Sequence, residues 1–357
     1  FVRARTQGNK AAIPLLNEAV TLDPNFAAAH AQLAMRHYAE AAYGDLPATA
    51  RGIAAANKAI AIDPQLSSGY HGLALNLHQS GRLREALPVY RKAVELSPSG
   101  TSALNDLGFG ENVAGRYDEA LGHTTKARSL GAPASPYHVG VSLLQLGDDE
   151  RTERFLAAAA ARAPAGMRLQ VLLATLDLVR GNADAAVNRI VRAVDAAPKN
   201  IEGLLTRAEI ATFAGHKDAP GYVSSLMAQN GDGLFHTAPY PVRLAHAYHL
   251  QKAGATGEAI KLMDDMLAAN REAIVGGANW PMVFMQNAAI HALRGNATAA
   301  LDALDQGYEA GWRDHRMLAI DPLLASLRKE PRFTALLSRI QADVAAMRAR
   351  ADYSRLP

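Results

Sequence analysis

Apolar side chains recur along the chain at the spacing of one face of an α-helix. Leu83, Leu87, Tyr90 and Val94 form one such row, and Tyr117, Leu121 and Thr124 form a weaker one. The rows are punctuated at regular intervals. Gly81, Gly115, Gly147, Gly181 and Gly215 are spaced by 34, 32, 34 and 34 residues, and looser spacing continues the series to Gly254 and Gly295. Pro64 and Pro98 are 34 apart, as are Pro164 and Pro198. Seven residues before successive glycines stands a small residue: Ala74, Gly108, Gly140, Ala174, Ala208, Ala247 and Ala288. Five residues after a glycine stands Ala86, Ala120, Ala186, Ala259 or Ala300, a column that Thr152 and Pro220 break.

Each column has a physical reason. A glycine ends the first helix of a pair because it takes a left-handed conformation without a side-chain clash. The small residues let two antiparallel helices approach closely. The proline stops the second helix, since it has no N–H to donate and its ring clashes with the preceding turn. The prediction is an all-α chain of helix pairs with a period of 34 residues.

A helix–turn–helix unit of this length with this order of small residue, Gly, Ala and Pro resembles the tetratricopeptide repeat. The best units are 67–100, with Leu73-Ala74, Gly81-Arg82-Leu83-Arg84-Glu85-Ala86, Tyr90, Ala93 and Pro98, and 101–132, with Leu107-Gly108, Gly115-Arg116-Tyr117-Asp118-Glu119-Ala120 and Ala127. The resemblance implies a right-handed α-solenoid. It divides the chain into a partial first unit at 1–26, eight units over 27–314 starting near 27, 67, 101, 133, 167, 201, 240 and 281, and capping helices over 315–357. The cap is expected as two helical stretches, about 315–328 and 331–350, covering the open apolar face of the last unit. The unit starting near 27 is six residues longer than the period, with the surplus at Tyr43-Gly44-Asp45-Leu46-Pro47.

Three segments extend the likeness. They are Leu16–Ala27, the Tyr43–Pro47 insertion followed by Lys58–Pro64, and Ile320-Asp321-Pro322-Leu323-Leu324 followed by Glu330-Pro331-Arg332-Phe333. Together they resemble the C-terminal repeat region of bacterial multidomain signalling proteins. In those proteins a winged-helix regulator, a Ser/Thr kinase or a nucleotide cyclase precedes a membrane helix and the repeats. The opening Phe1–Gly8 reads as the tail of an element already under way, so a longer polypeptide is expected. If the likeness holds, the repeats lie outside the cytoplasm; a cytoplasmic location is the alternative.

Composition narrows the function. Hydrophobic residues make up 49% of the 357 and aromatic ones 6%, while alanine is roughly a fifth, so the apolar content suits close helix packing more than a large aromatic core. Charged residues are 20% with a net charge of +3, too balanced for a dedicated nucleic-acid binder. With no Cys, disulfide scaffolds, thiolate zinc sites and cysteine nucleophiles are excluded, and the redox compartment stays open. No apolar run approaches the ~18 residues of a membrane span. Basic residues gather after Gly311, with nine Lys/Arg against five Asp/Glu up to Pro357, which leaves contact of this tail with nucleic acid or a membrane surface as an alternative reading.

Several patterns imitate chemistry. Gly108-Phe109-Gly110 is half of a dinucleotide fingerprint, but it lacks the third glycine and falls inside a helix. Asn230-Gly231-Asp232-Gly233 starts like a calcium loop without the downstream Glu, and reads as a turn. His30 and His37, and His71 and His78, are seven apart, about 10 Å along a helix, too far for one ion. His246 and His249 are closer but have no third ligand nearby. Asp264 and Asp265 point about 100° apart on a helix and do not converge. Asn296-Ala297-Thr298 fits a glycosylation sequon in an ordinary turn. No catalytic residue, metal or cofactor is predicted, and the chain is expected not to be an enzyme.

The resemblance assigns ligand contacts to the first helix of each unit. It names Met35 and Tyr38; His71, Leu75, His78 and Gln79; Asn105, Phe109 and Asn112; Tyr137, Val141 and Gln145; Arg168; Glu209; Tyr248 and Gln251. This lining is apolar and neutral-polar with aromatic anchors, which suits a protein or peptide partner. The Lys/Asn clamp that holds a C-terminal carboxylate in chaperone-binding relatives is absent: His71, Leu75, Asn105 and Asp106 stand where it is needed. The expected function is a protein- or peptide-binding scaffold or sensor. The alternative is an accessory region of an enzyme whose catalytic domain lies elsewhere.

Overall fold

The structure is a computed structural model that describes residues 1–5, 7–42, 45, 47–132, 135–162, 166–229 and 240–356. Among these it has twenty α-helices, one 3-10 helix and no β-strand. A short α1 (Val2–Arg5) and α2 (Asn9–Leu22) open the chain. Eight helix pairs follow: α3 (Ala27–Ala42) with α4 (Ala48–Ile62), α5 (Ser67–Gln79) with α6 (Leu83–Leu96), α7 (Thr101–Val113) with α8 (Tyr117–Ser129), and α9 (Ser135–Gln145) with α10 (Asp149–Arg162). The second four are α11 (Met167–Val179) with α12 (Ala183–Ala196), α13 (Ile201–Phe213) with α14 (Ala219–Ala228), α15 (Val242–Lys252) with α16 (Thr256–Val275), and α17 (Pro281–Leu293) with α18 (Ala297–Ala310). The end is α19 (His315–Ile320), a 3-10 helix at Pro322–Leu327, and α20 (Pro331–Arg350). The Tyr43–Pro47 insertion, except Asp45 and Pro47, and the Asn230–Gly233 turn lie outside the described residues, as does Pro164.

The glycine ladder is a ladder of first-helix stops. Gly81 has φ +81° just after α5; its N–H bonds to the His78 carbonyl at 2.9 Å and that of Arg82 to the Leu77 carbonyl at 2.9 Å. Two such bonds satisfy carbonyls the helix end would leave open. The same pair of bonds closes α11, α13, α15 and α17, at Gly181, Gly215, Gly254 and Gly295. The small-residue columns are buried: Ala74, Ala174, Ala208, Ala247 and Ala288 are fully inaccessible, as are Ala86, Ala120, Ala186, Ala259 and Ala300. A Cβ on Gly140 would lie 2.7 Å from Leu156 and 2.8 Å from Leu172, so this position has no room for a side chain as the helices now pack. Gly108 is likewise buried. Gly108→Leu is expected to cost roughly 1–3 kcal/mol by overpacking, read as a drop in urea-unfolding free energy; an unchanged value would refute the register.

The two breaks in the alanine column are accommodated differently. Thr152 is fully buried, but its hydroxyl donates to the Asp148 carbonyl at 2.6 Å, so no polar group is stranded. Pro220 sits in the first turn of α14, where its missing N–H has no intrahelical partner to lose.

The chain divides into two compact units. One comprises 1–111, 122–135 and 276–279; the other comprises 112–121, 136–275 and 280–357. In the first unit, Ala4, Ala12, Leu16, Ala29 and Leu33 form a small core beside the tilted, touching rings of Phe1 and Phe26, and Leu104, Ala127 and Ala132 form another with Val94. Its 276–279 segment lies on the Gly81 turn. The Asn279 N–H donates to the Gly81 carbonyl at 2.9 Å, and Asn279 Oδ1 accepts from the Arg84 N–H at 3.0 Å. Asn279 thus caps α6, whose own N-cap residue, Arg82, supplies no side-chain bond.

The second unit has one continuous core from Tyr117 to Val344. Its last elements pack on its first ones. Gly311, φ +117°, meets the Gly115 turn backbone to backbone. Arg316 grips Asp149 through two nitrogens at 2.6 and 3.0 Å, and Asp149 also holds Arg180 at 3.2 Å. Arg348 donates to the Gly147 carbonyl at 3.1 Å, Arg350 to Asp118 at 3.0 Å, and Arg151 lies over the Tyr353 ring at 4.4 Å. The helical stretch expected over 315–328 is split at Asp321: Pro322 disfavours a helical residue before it, and Asp321 instead caps the 3-10 turn by accepting from the Leu323 N–H at 2.9 Å.

Candidate protein-binding groove

Three successive first helices of the first unit, α3, α5 and α7, place Tyr38, His71 and Asp106 together. His71 Nε2 donates to Asp106 Oδ2 at 2.8 Å. Tyr38 is close enough to Asp106 that the carboxylate, after burial, raises its phenol above the usual tyrosine range. Two turns further along α5, His78 stacks on Phe109 with ring centroids 5.3 Å apart and 25° between planes. Behind both histidines lies Tyr90 of α6, fully buried, 6.2 Å from the His71 ring and 6.1 Å from the His78 ring, with its hydroxyl 3.4 Å from His78 Nδ1. Burial lowers His78 to about 4, against the pull of Asp106, so its imidazole is neutral near pH 7. Burial, then Asp106 and Tyr38, push the Tyr90 phenol well above its usual value.

The candidate contacts differ in accessibility. In the first unit His71, Leu75, His78 and Asn105 are buried, Met35, Tyr38 and Gln79 are half-buried, and Phe109 is 41% exposed. Val2, Leu22, Leu130, Ile201, Ile260 and Val275 are the other large apolar side chains exposed among the described residues, which makes Phe109 the one aromatic of that set. Asn105 Oδ1 is buried with no hydrogen-bond partner. Glu111, fully buried on α7, is held by His123 at 2.7 Å and Arg91 at 3.2 Å, so this carboxylate is committed to joining α6, α7 and α8.

In the second unit the corresponding positions are engaged by the chain itself. Gln145 donates to Asp314 Oδ2 at 2.9 Å, and Asp314 also caps α19 through the Met317 N–H at 3.0 Å. Arg168 binds Glu202 at 2.9 Å and lies over the Tyr137 ring at 5.3 Å. Asn112 is buried and accepts from Ser142 at 3.0 Å, and Val141 is half-buried against the core. Glu209 and Tyr248 are buried, and Gln251 donates to the Leu293 carbonyl at 2.9 Å.

Most arginines of the basic tail are paired, several of them while still partly exposed. Arg313 pairs with Asp343 at 3.0 Å, Arg332 with Asp302 and Asp305 at 2.9 and 2.7 Å, and Arg328 donates to the Asp321 carbonyl at 3.1 Å, beside the Arg316, Arg348 and Arg350 contacts above. Among the described residues no three His, Asp or Glu side chains converge on a metal-sized site, and no helix is long and apolar enough to cross a membrane. Two shallow clefts of about 370 and 310 Å³ are lined by Arg189 and Arg192 and by Arg151, Arg154 and Tyr353 respectively, without a nucleophile and base in reach of each other.

Residues 67–99 match the tetratricopeptide repeat model, which is the pair α5–α6. Over most of the chain the structure is similar to yeast Tom70, with a TM-score of 0.53, 15% identity, 90% of this chain covered and 62% of that one. The fold is a tetratricopeptide-type α-solenoid. Other solved solenoids of the kind include the human IFIT1 dimer with m7Gppp-AAAA (TM-score 0.50, 12% identity, 84% of this chain and 77% of that one). YrrB, described as a TPR protein with an unusual peptide-binding site, matches at a TM-score of 0.34 and 20% identity over 49% of this chain and 92% of that one. No curated protein matches the sequence. The fold by itself names no ligand, which must be argued from side chains.

Sequence reasoning named Asp106 only as a residue standing in place of the absent clamp, and it missed Asn279. Asp106 had a usable signal, because His71 lies 35 residues before it, one period plus one, on the preceding first helix. Asn279 had none, being 195 residues from the helix it caps.

Proposed function

We propose that the chain is a protein- or peptide-binding scaffold whose partner lies against α3, α5 and α7 of the first unit. The observation that carries this is Phe109: an exposed aromatic ring stacked on a buried neutral histidine. Preformed aromatic anchors of this kind concentrate the energy of protein interfaces. The lining offers no set of converging acid, base and nucleophile, which supports a non-enzymatic role. The pairing of the tail arginines with carboxylates and carbonyls of this chain favours this reading over nucleic-acid or membrane contact. The three segments that resemble bacterial multidomain signalling proteins support placing the module in a larger regulatory protein, there reporting partner binding to an effector domain such as a kinase or cyclase.

Phe109→Ala is expected to weaken partner binding at least about tenfold, the ~1.4 kcal/mol or more of an interface anchor, with helical content unchanged by circular dichroism. Tyr90→Ala, at a buried ring, should act through stability instead. Titration of both variants with a partner recovered by pull-down decides it: unaltered affinity in Phe109→Ala removes this site.

A further inference from the structure

We propose that this groove takes an arginine side chain of the partner, stacked on Phe109 and hydrogen-bonded to Asp106 and Asn105. The inference rests on the groove reading above and names the chemistry the groove selects. On α7 Phe109 stands at i+4 from Asn105 and i+3 from Asp106, so its ring lies beside both side chains, between them on the helix surface. Two hydrogen-bonding atoms of this patch are acceptors awaiting donors. Asp106, with a side chain 31% exposed, has only Oδ2 engaged, by His71. Asn105 is 6% exposed, yet its Oδ1 has no partner. A buried acceptor left open costs stability unless a ligand or water completes it. A guanidinium carries five N–H donors and no acceptor, which is the complement of such a pair.

The charge and shape agree. The other carboxylates near these helices are matched internally: Glu40 by His37 and Arg51, and Glu111 by Arg91 and His123. Arg36, the arginine on α3, is spent on Asn9 Oδ1 and the Ala4 carbonyl. Asp106 is therefore the carboxylate on this face without an arginine or lysine partner. His78 and Phe109 are already stacked nearly parallel, and a planar guanidinium extends such a stack where an ammonium cannot. An anionic or carboxyl-terminal ligand would instead face Asp106 and open acceptors.

The test uses the full chain and N-acetyl-L-argininamide, against its uncharged isostere N-acetyl-L-citrullinamide, following the Phe109 ring by NMR of phenylalanine-labelled protein. Argininamide should shift the Phe109 signals and bind about fivefold or more tighter than citrullinamide, with that advantage shrinking as salt is raised. Asp106→Asn should abolish the advantage and Asp106→Glu should restore part of it, which a folding defect would not do. Equal binding of the two amides, or shifts that spare Phe109, overturns the inference. The two readings fail separately. A protein partner that depends on Phe109 while the amides bind alike leaves the groove standing and removes the arginine site. Argininamide held at Phe109, with partner binding indifferent to Phe109→Ala, does the reverse.

Discussion

Gly115→Ala is expected to destabilise the second unit by about 2–5 kcal/mol, the largest loss from a single methyl group in this fold. Two costs add. Gly115 has φ +68°, where an L-residue places its Cβ against the following carbonyl at about 1–2 kcal/mol. The new Cβ would also fall 2.1 Å from the Gly311 carbonyl oxygen and 2.6 Å from Arg313 Cγ, a clash that backbone must absorb at about 1–3 kcal/mol. Gly181→Ala separates the two, because Gly181 has φ +84° with nothing within 4 Å of its Cβ position. It should lose about 1–2 kcal/mol only. Urea unfolding of both variants measures the difference. Equal losses would mean that the Gly115 turn is not pressed against Gly311, and that the last elements do not seat on the first elements of this unit.

That seating is where the sequence stops being legible. The helix pairs could be read because their signals are local: the Gly81 stop involves Leu77 to Arg82, and the alanine columns sit at fixed offsets from it. Gly131 and Gly311 also take positive φ, but they end second helices, where the period predicted proline. The contacts that close each unit span far longer separations, 167 residues for Arg316 with Asp149 and 195 for Asn279 with Arg84, and no periodicity encodes such pairs. The groove shows the same division. Helical register correctly sets Tyr38, His71 and Phe109 on successive first helices. Register alone does not set depth: His71 and His78 are buried under their neighbours while Phe109, two periods on from Met35's helix, stays open. Gln145 and Arg168 have the right register too, and are engaged by Asp314 and Glu202. Charge counting in the tail could not show the pairing either, since partners such as Asp118, Asp149, Asp302 and Asp305 come from α8, α10 and α18.

The tail also carries a titration that should dominate the pH dependence of stability. Asp321 is 3% exposed, and burial raises its carboxyl to about 7, overcoming the opposing pull of the Tyr240 hydroxyl, the Leu323 and Leu324 N–H groups and Arg328. Tyr240 Oη donates to Asp321 Oδ2 at 2.5 Å, and Tyr240 is itself fully buried. In the unfolded chain the same carboxyl titrates near 3.8. A folded-state value above the unfolded one means that the native state holds the proton more tightly. The resulting stabilisation is complete below about pH 3.8 and is lost as pH rises through about 7, when the buried group must ionise. About three pKa units correspond to on the order of 4 kcal/mol in full, of which about 2–3 kcal/mol should disappear between pH 5 and pH 8. Asp321→Asn keeps the shape and the Leu323 cap but cannot ionise. Its stability should therefore vary less between these pH values, and at pH 8 it should match or exceed the parent. Urea unfolding of both proteins at pH 5 and pH 8 gives the four free energies. If the parent and the Asn variant change in parallel, Asp321 is not the group that titrates, and the buried Tyr240 pair is held ionised throughout.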